Sequence, residues 1–469
     1  MNKNGENNLV DNIDIDEEKN ELTKEFFSKY DKQEKISKKE ISYKLLYSYK
    51  TIIIIVLFII LGASKIETDK KDPNVIKIGF FCYCIKYGGI ERVVALLVSL
   101  LSREKNFIIY LITGSKILEN EYYIPNNVKR ISLSEQKINI FQFNIREKLD
   151  IIVYNFYDKK VLRKLNTLKN TKIIAYDHSC FVYWIYYNQY KFEDTMYKAY
   201  KDCKYVISLI PIENDYLFKI WGINSILMDN PLTFEYDSII PSNLSDKNII
   251  MIGRGSDRLK RFELGIESMK YIIKEIPECI MNIISESVEE QEKLIKTLNL
   301  EKNVKFTGFQ SNIDAYLKNT SLHIFPSIAE GYPMVLGETK MYGIPTILCG
   351  LDYLALAKGG TVMVYDDNPE TIAKEAIKIL KNETYRKILG DEARKSMEKR
   401  KNEFIEQRWA KLLSLIHKGD DESILKLNEN KMTDKEAEEI LINQLKMIHL
   451  RRPNLKDVTL DQLKSYELV

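Results

Sequence analysis

Val75-Ile-Lys-Ile-Gly-Phe-Phe-Cys82, the pair Gly88-Gly89, and the stretch from Ile90 to Leu101 decide how this chain is read. The first run is apolar except for Lys77 and short enough for a strand, which predicts burial on both faces. Val93, Val94, Leu97 and Leu101 recur at helical spacing after the glycines, which predicts a helix starting at the turn. Strand, glycine turn and helix in direct succession make the first βα unit of a parallel sheet.

The pattern repeats downstream. Phe107–Thr113, Asp150–Tyr154, Lys172–Ala175 and Tyr205–Leu209 read as further strands with helical segments between them. A seam comes at Asn230-Pro231-Leu232, followed by the polar stretch Ser242 to Lys247. A second series then begins, with strands at Ile249–Gly253, Met281–Ser285, Val304–Thr307, Ser321–Phe325, Thr346–Leu348 and Thr361–Val364. The expected fold class is α/β, with two doubly wound Rossmann-like halves facing a cleft. Such sheets bind ligands beyond the carboxyl ends of their strands. Glu370–Leu380, Tyr385–Glu398 and Phe404–Ile416 read as closing helices, and Thr433-Asp-Lys-Glu436 as a capping box that opens a tail helix through His449.

The N-terminal side differs. Residues 1–50 begin Asn- and acid-rich and turn basic from Lys32, which predicts a disordered and juxtamembrane segment. Thr51 to Ser64 is uncharged and lies between Lys50 and Lys65. As a helix it spans about 21 Å, short of the ~30 Å hydrocarbon core, but Leu45, Leu46, Tyr47 and Tyr49 extend it and Lys44 and Lys50 can snorkel. The expectation is a single-pass membrane anchor over 51–64. Similar lysine numbers on both sides leave its orientation unread, with the cytosolic side favoured for the globular part. The charge balance of 70 Lys+Arg against 67 Asp+Glu gives no electrostatic reason for a nucleic-acid partner. Six Cys in 469 residues make no disulfide scaffold, and Cys82 and Cys84 lie on a strand at neither zinc nor redox spacing.

Four constellations fall at strand ends. Gly88-Gly89 lets backbone approach a phosphate at a helix N-terminus, although a glycine pair is often only a turn. Gly253-Arg254 with Lys260 offers two cations suited to a diphosphate; Arg258 and Arg261 beside them also fit a solvated basic loop. Glu330 and Glu338 stand eight residues apart, the first on a loop and the second within a helix for which Pro333 suits the first position. Two carboxylates so placed can read hydroxyls, a ribose diol among them, or can be two solvated surface glutamates. Asp177-His178 follows a strand, where a histidine serves acid–base chemistry, hydroxyl binding or packing. No acidic pair at a strand end suggests a metal, and no P-loop, G-x-S-x-G or zinc spacing occurs. Asp366-Asp367 before Asn368-Pro369 reads as a turn and helix cap. The aromatic segment Tyr183 to Tyr190 reads mainly as packing.

From Val75 to about Ile416 the chain resembles the group 1 (family 4) retaining glycosyltransferases of the GT-B fold. The likeness rests on Gly88-Gly89-Ile-Glu91-Arg92, on Asn230-Pro231, on Gly253-Arg254 with Lys260-Arg261, and on Glu330 through Glu338 followed by Gly343-Ile-Pro345. It implies an N-terminal acceptor domain over 75–230, a nucleotide-sugar domain over 231–417, and a tail, 418–469, outside the family core and open to a protein partner. It places Gly88 and Gly89 by the donor diphosphate, held by Arg254 and Lys260. Glu330 would lie at the donor sugar, Glu338 at the ribose, and the backbone of Gly331, Tyr332 and Pro333 would face the sugar. His178 matches a histidine lining the catalytic site. The resemblance implies transfer of a hexose from a nucleotide diphosphate donor, with retention and without a metal or other cofactor, to a glycan, lipid-linked or protein-linked hydroxyl. A non-catalytic binding subunit and a nucleotide-sugar epimerase of the same fold are the alternatives. The chain departs from the pattern at Thr339, Lys340 and Tyr342, where small residues are usual, and at Leu351-Asp352-Tyr353, which lacks the common Gly-x-x-Glu form.

Overall fold

The first sheet has seven parallel strands in the order β3-β2-β1-β4-β5-β6-β7, and the second has six in the order β10-β9-β8-β11-β12-β13. They are seen in a computed structural model that describes residues 72, 74–86, 88–186, 196–310, 312–428 and 432–465. The expected disordered segment 1–50 and anchor 51–64 lie outside the described residues. No helix among the described residues is long and apolar enough to cross a membrane.

The first sheet comprises β1 Ile76–Cys82, β2 Phe107–Thr113, β3 Lys129–Ser132, β4 Ile151–Tyr154, β5 Lys172–Tyr176, β6 Tyr205–Ser208 and β7 Ser225–Leu227. The second comprises β8 Asn248–Ile252, β9 Ile280–Ile284, β10 Val304–Phe306, β11 Leu322–Phe325, β12 Thr346–Cys349 and β13 Thr361–Val364. β3 and β7 are absent from the sequence reading for a physical reason. Both are edge strands, one opening on Lys129-Arg130 and the other three residues long, so neither carries the buried apolar run that betrays a central strand.

In each sheet the order reverses once. β1 pairs with both β2 and β4, Ile78 lying opposite Ile109 and Ile151. β8 pairs with both β9 and β11. These two switch points are where adjacent connections leave on opposite faces and open a crevice at the strand ends. The residues singled out at strand ends follow β1, β5, β8 and β11.

Two elements beyond the hinge at Asn230 help to join the halves. The helix Asn402–Lys418 returns to pack on the helix Gly89–Leu101 of the first half. There Trp409, fully buried, packs against Tyr176 in a tilted contact with ring centroids 5.2 Å apart, and Lys172 donates to the Ile416 and His417 carbonyls at the helix end. The second join is the tail. The helix Asp434–Arg451 starts at the expected Thr433/Glu436 capping box. Asp434 pairs with Lys219 of the first half at 3.1 Å, and Gln444 donates to the Gly350 carbonyl of the second at 2.9 Å. The tail expected to await a protein partner is therefore docked on its own chain. Ahead of that tail helix, Asp421–Leu425 forms a short helix capped by Asp420.

Candidate active site

Glu330 and Lys260 meet on the floor of the crevice. Lys260 ends the 3-10 turn Arg258–Lys260 after β8, a turn capped by Asp257, which accepts from Leu259 N. Its ammonium lies 2.5 Å from Glu330 Oε1. Glu330 is held through its backbone: its amide donates to Tyr353 Oη at 3.1 Å, and the Ile328 amide donates to the Leu259 carbonyl at 2.8 Å. The loop after β11 is thus tied to the loop after β8. Arg254, by contrast, is exposed two residues past the end of β8, and its side chain makes no hydrogen bond or ion pair with the described residues.

Glu338 is buried in the helix Met334–Met341, for which Pro333 is the cap rather than the first helical residue. Its Oε1 accepts from Thr233 of the hinge segment at 2.6 Å and pairs with Arg92 of the first half at 2.9 Å. The reading of Glu330 and Glu338 as solvated surface glutamates is therefore wrong: Glu338 is buried against Arg92 of the first half, and Glu330 is paired with Lys260 of its own half. Arg92 stands one turn into the helix that Gly88 caps. That helix exposes its N-terminal dipole at the pair Gly88-Gly89, and the Glu91 carboxylate lies in the space a β-carbon at Gly88 would take, 1.9 Å from it, a flexible side-chain end that can swing aside.

At Gly331 the halves approach closely. A β-carbon there would sit 2.2 Å from the His178 carbonyl oxygen and 2.8 Å from that of Ser179. Tyr332, on the next residue, donates to Asp229 beside the hinge at 3.2 Å, and Arg400 reaches the same carboxylate at 3.0 Å.

His178 stacks at 4.1 Å on Tyr176, whose hydroxyl donates to Asn230 Oδ1 at 2.5 Å. Its Nε2 lies 3.0 Å from Asn155 Oδ1. Asn155 Nδ2 donates to the Val153 carbonyl, so Oδ1 is the acceptor and Nε2 carries the imidazole proton. Nδ1 is left as a buried lone pair without a partner. Burial drives the ring down to about 3, so His178 is neutral at ordinary pH and can accept a hydrogen bond at Nδ1.

Several of these partners are missing from the sequence reading. Arg92 is quoted there within Gly-Gly-Ile-Glu-Arg but given no role, and Tyr353 stands in the loop noted only as a departure. Thr233, Asn155 and Asp229 carry no local pattern. Arg261, offered with Arg258 as a solvated basic residue, is instead paired with Asp367 at 2.6 Å; Asp367, read as part of a turn, is the partner of two arginines. Among the described residues no three His, Cys, Asp or Glu side chains gather as a metal site.

Residues 234–396 match the family model described as "Glycosyl transferases group 1". That span holds Arg254, Lys260, Glu330 and Glu338. An "Uncharacterized glycosyltransferase" of Haemophilus influenzae is 23% identical over 372 residues, covering 72% of this chain and 99% of that protein. Among solved structures, sucrose-phosphate synthase from Thermosynechococcus elongatus superposes with a TM-score of 0.62 at 16% identity, over 73% of this chain and 100% of the other. HepE of Anabaena, in complex with UDP and glucose, does so with a TM-score of 0.57 at 15% identity, over 72% of this chain and 99% of the other. The second half of this chain is thus similar to a group 1 glycosyl transferase domain, and its two-sheet α/β frame is shared with these solved structures.

Proposed function

We propose that the protein transfers a hexose-type sugar from a nucleoside diphosphate donor to a hydroxyl of a glycan, lipid-linked or protein-linked acceptor, with retention of configuration. The observation that carries this is the pairing of Lys260 with Glu330 at 2.5 Å where two switch-point loops meet, opposite His178 of the other half. The HepE structure, solved with UDP and glucose, supports the donor class.

In this reading the leaving diphosphate takes Lys260 and the exposed Arg254 as its counter-cations, with the N-terminus of the helix Gly89–Leu101 adding positive potential. Lys260 then exchanges its contact with Glu330 for the phosphate, and Glu330 is freed toward the sugar. Glu338, rigidly held between Thr233 and Arg92, offers its remaining acceptor sites to the ribose diol. Gly331, Tyr332 and Pro333 present backbone to the sugar. His178 is neutral, so it orients a hydroxyl through Nδ1 and does not deliver a proton. The cations needed at the diphosphate are side chains, so we expect transfer to proceed in excess chelator. Retention rests on the family 4 resemblance, in which the leaving phosphate helps take the acceptor proton. The run 51–64 would tether the protein to a membrane, and removing residues 1–70 should then release it into a high-speed supernatant.

The test is a panel of nucleotide sugars offered to purified protein with a membrane or glycan extract in chelator, followed by proton NMR of the early product. A retained anomeric configuration supports the reading. An inverted centre removes the protein from the proposed class, and consumption of donor without any acceptor favours the epimerase.

A further inference from the structure

We propose that Arg451, the last residue of the tail helix Asp434–Arg451, is a positioning residue that sets the loop carrying Glu330. The inference rests on the proposed function for its catalytic meaning, although its structural part stands on its own.

Arg451 is almost wholly buried, with 4% of its side chain exposed. Its Nε and Nη2 donate to the two oxygens of Asp367 at 2.6 and 2.8 Å. Nη1 donates to the Ile328 carbonyl at 3.2 Å, and Nη2 also reaches the Cys349 carbonyl at 2.9 Å. One guanidinium therefore joins the loop after β11, the end of β12 and the turn after β13. Asp367 takes a second bidentate arginine, Arg261, at 2.6 and 2.8 Å. Arg261 in turn donates through Nε to the Pro326 carbonyl at 2.8 Å, and it directly follows Lys260. The two arginines, joined through one carboxylate, thus grip the carbonyls of Pro326 and Ile328, four and two residues short of Glu330. Burial alone would raise the Asp367 carboxyl, yet Arg451 and Arg261 hold it down to about 2, so the clamp stays charged across the physiological range.

The same helix reaches Glu330 by a second route. Gln444 donates to the Gly350 carbonyl at 2.9 Å and to Asp352 at 2.6 Å, and Asn443 donates to Asp352 at 2.9 Å. Met447 lies against Gly350, at φ +65°, where a β-carbon would come within 2.8 Å of it. The next residue after Asp352 is Tyr353, whose hydroxyl accepts the Glu330 amide. The departure from the family pattern at Leu351-Asp352-Tyr353 is the surface on which this tail docks. A planar five-donor fork that satisfies one carboxylate and two carbonyls at once cannot be replaced by an ammonium, which lacks the geometry to span them.

The experiment uses the full chain with Arg451→Lys, which keeps one charge against Asp367, and Asp367→Asn, which breaks the hub from the other side should the first variant be poorly folded. Hydrogen exchange of the ligand-free protein reads the Ile328 and Glu330 amides, now held by Leu259 O and Tyr353 Oη. The proposal expects both to exchange at least about tenfold faster in either variant, with the β1 amides from Ile78 to Phe81 unchanged. With whichever donor of the panel wild type turns over, kcat should fall about tenfold or more while KM stays within about threefold. Unchanged exchange at Ile328 and Glu330, or a uniform rise across β1 as well, overturns the proposal. If wild type turns over no donor, the proposed function fails, and the exchange result still decides whether Arg451 sets the loop.

Discussion

Arg92, one turn into the first helix after β1, reaches across the crevice to within 2.9 Å of Glu338, a carboxylate only 2% exposed in the opposite half. The two are 246 residues apart in sequence, yet their pairing spans the crevice. Removing Arg92 leaves Glu338 buried with Thr233 as its remaining partner, a loss of about 1–2 kcal/mol after allowance for the partly exposed guanidinium. Arg92→Ala should therefore lower the thermal midpoint by several degrees while circular dichroism stays native. A midpoint equal to wild type would mean that the pair adds nothing to holding the crevice together.

The two glutamates should separate kinetically. Glu338→Ala is expected chiefly to raise the donor KM, because the ribose contact is made before and during transfer alike. Glu330→Ala is expected chiefly to lower kcat, because its contact is at the reacting sugar. Steady-state kinetics in both variants check this, and equal small effects would reduce the eight-residue spacing to coincidence.

Gly331 gives a steric test. A β-carbon 2.2 Å from the His178 carbonyl oxygen meets backbone, which cannot swing aside as a side-chain tip can. Gly331→Ala should push the sugar loop away from the first half and cut turnover by about 10- to 100-fold, since small misplacements of reacting groups carry costs of that order. A fully active Gly331→Ala would show that the two halves need not approach this closely during transfer.

Acid should weaken the protein in a defined window. His178 and His323 are both driven by burial from 6.5 to about 3. Below about 6.5 the unfolded chain binds protons that the folded chain refuses, so stability is full above that pH and falls as pH drops toward 3. Each unit of pH in that window costs up to about 1.4 kcal/mol per buried histidine. Urea unfolding at pH 7 and pH 5 should show the loss, and His323→Asn should lessen it. A midpoint independent of pH between 5 and 7 would mean that neither ring is neutral and buried as described.

How much of this was legible before folding differs by element. Thr361–Val364 and Phe107–Thr113 are apolar runs bounded by polar residues, and their strands have those same ends. Glu330 and Glu338 were legible because they follow a strand and open a helix, a local pattern. What faces them was not: Arg92 and Thr233 come from other elements, and no periodicity links them. Arg451 carried a misleading local signal, since a basic residue at a helix end usually complements the dipole, whereas here it is buried against Asp367, 84 residues earlier in the chain. Asp367 was equally masked, because Asp-Asp-Asn-Pro is a good turn and the neighbouring Asp366 and Asn368 do serve that turn.

The central claim is that Lys260 and its neighbours hold a nucleotide diphosphate where Glu330 now sits against them. Calorimetric titration of wild type and Lys260→Ala with UDP, GDP and ADP and with their hexose derivatives tests it most directly. The account predicts that wild type binds at least one of these pairs and that Lys260→Ala binds it about 10- to 150-fold more weakly, matching loss of one charge-assisted contact worth about 1.5–3 kcal/mol. Binding of none of them by wild type, or equal binding by both proteins, would contradict it.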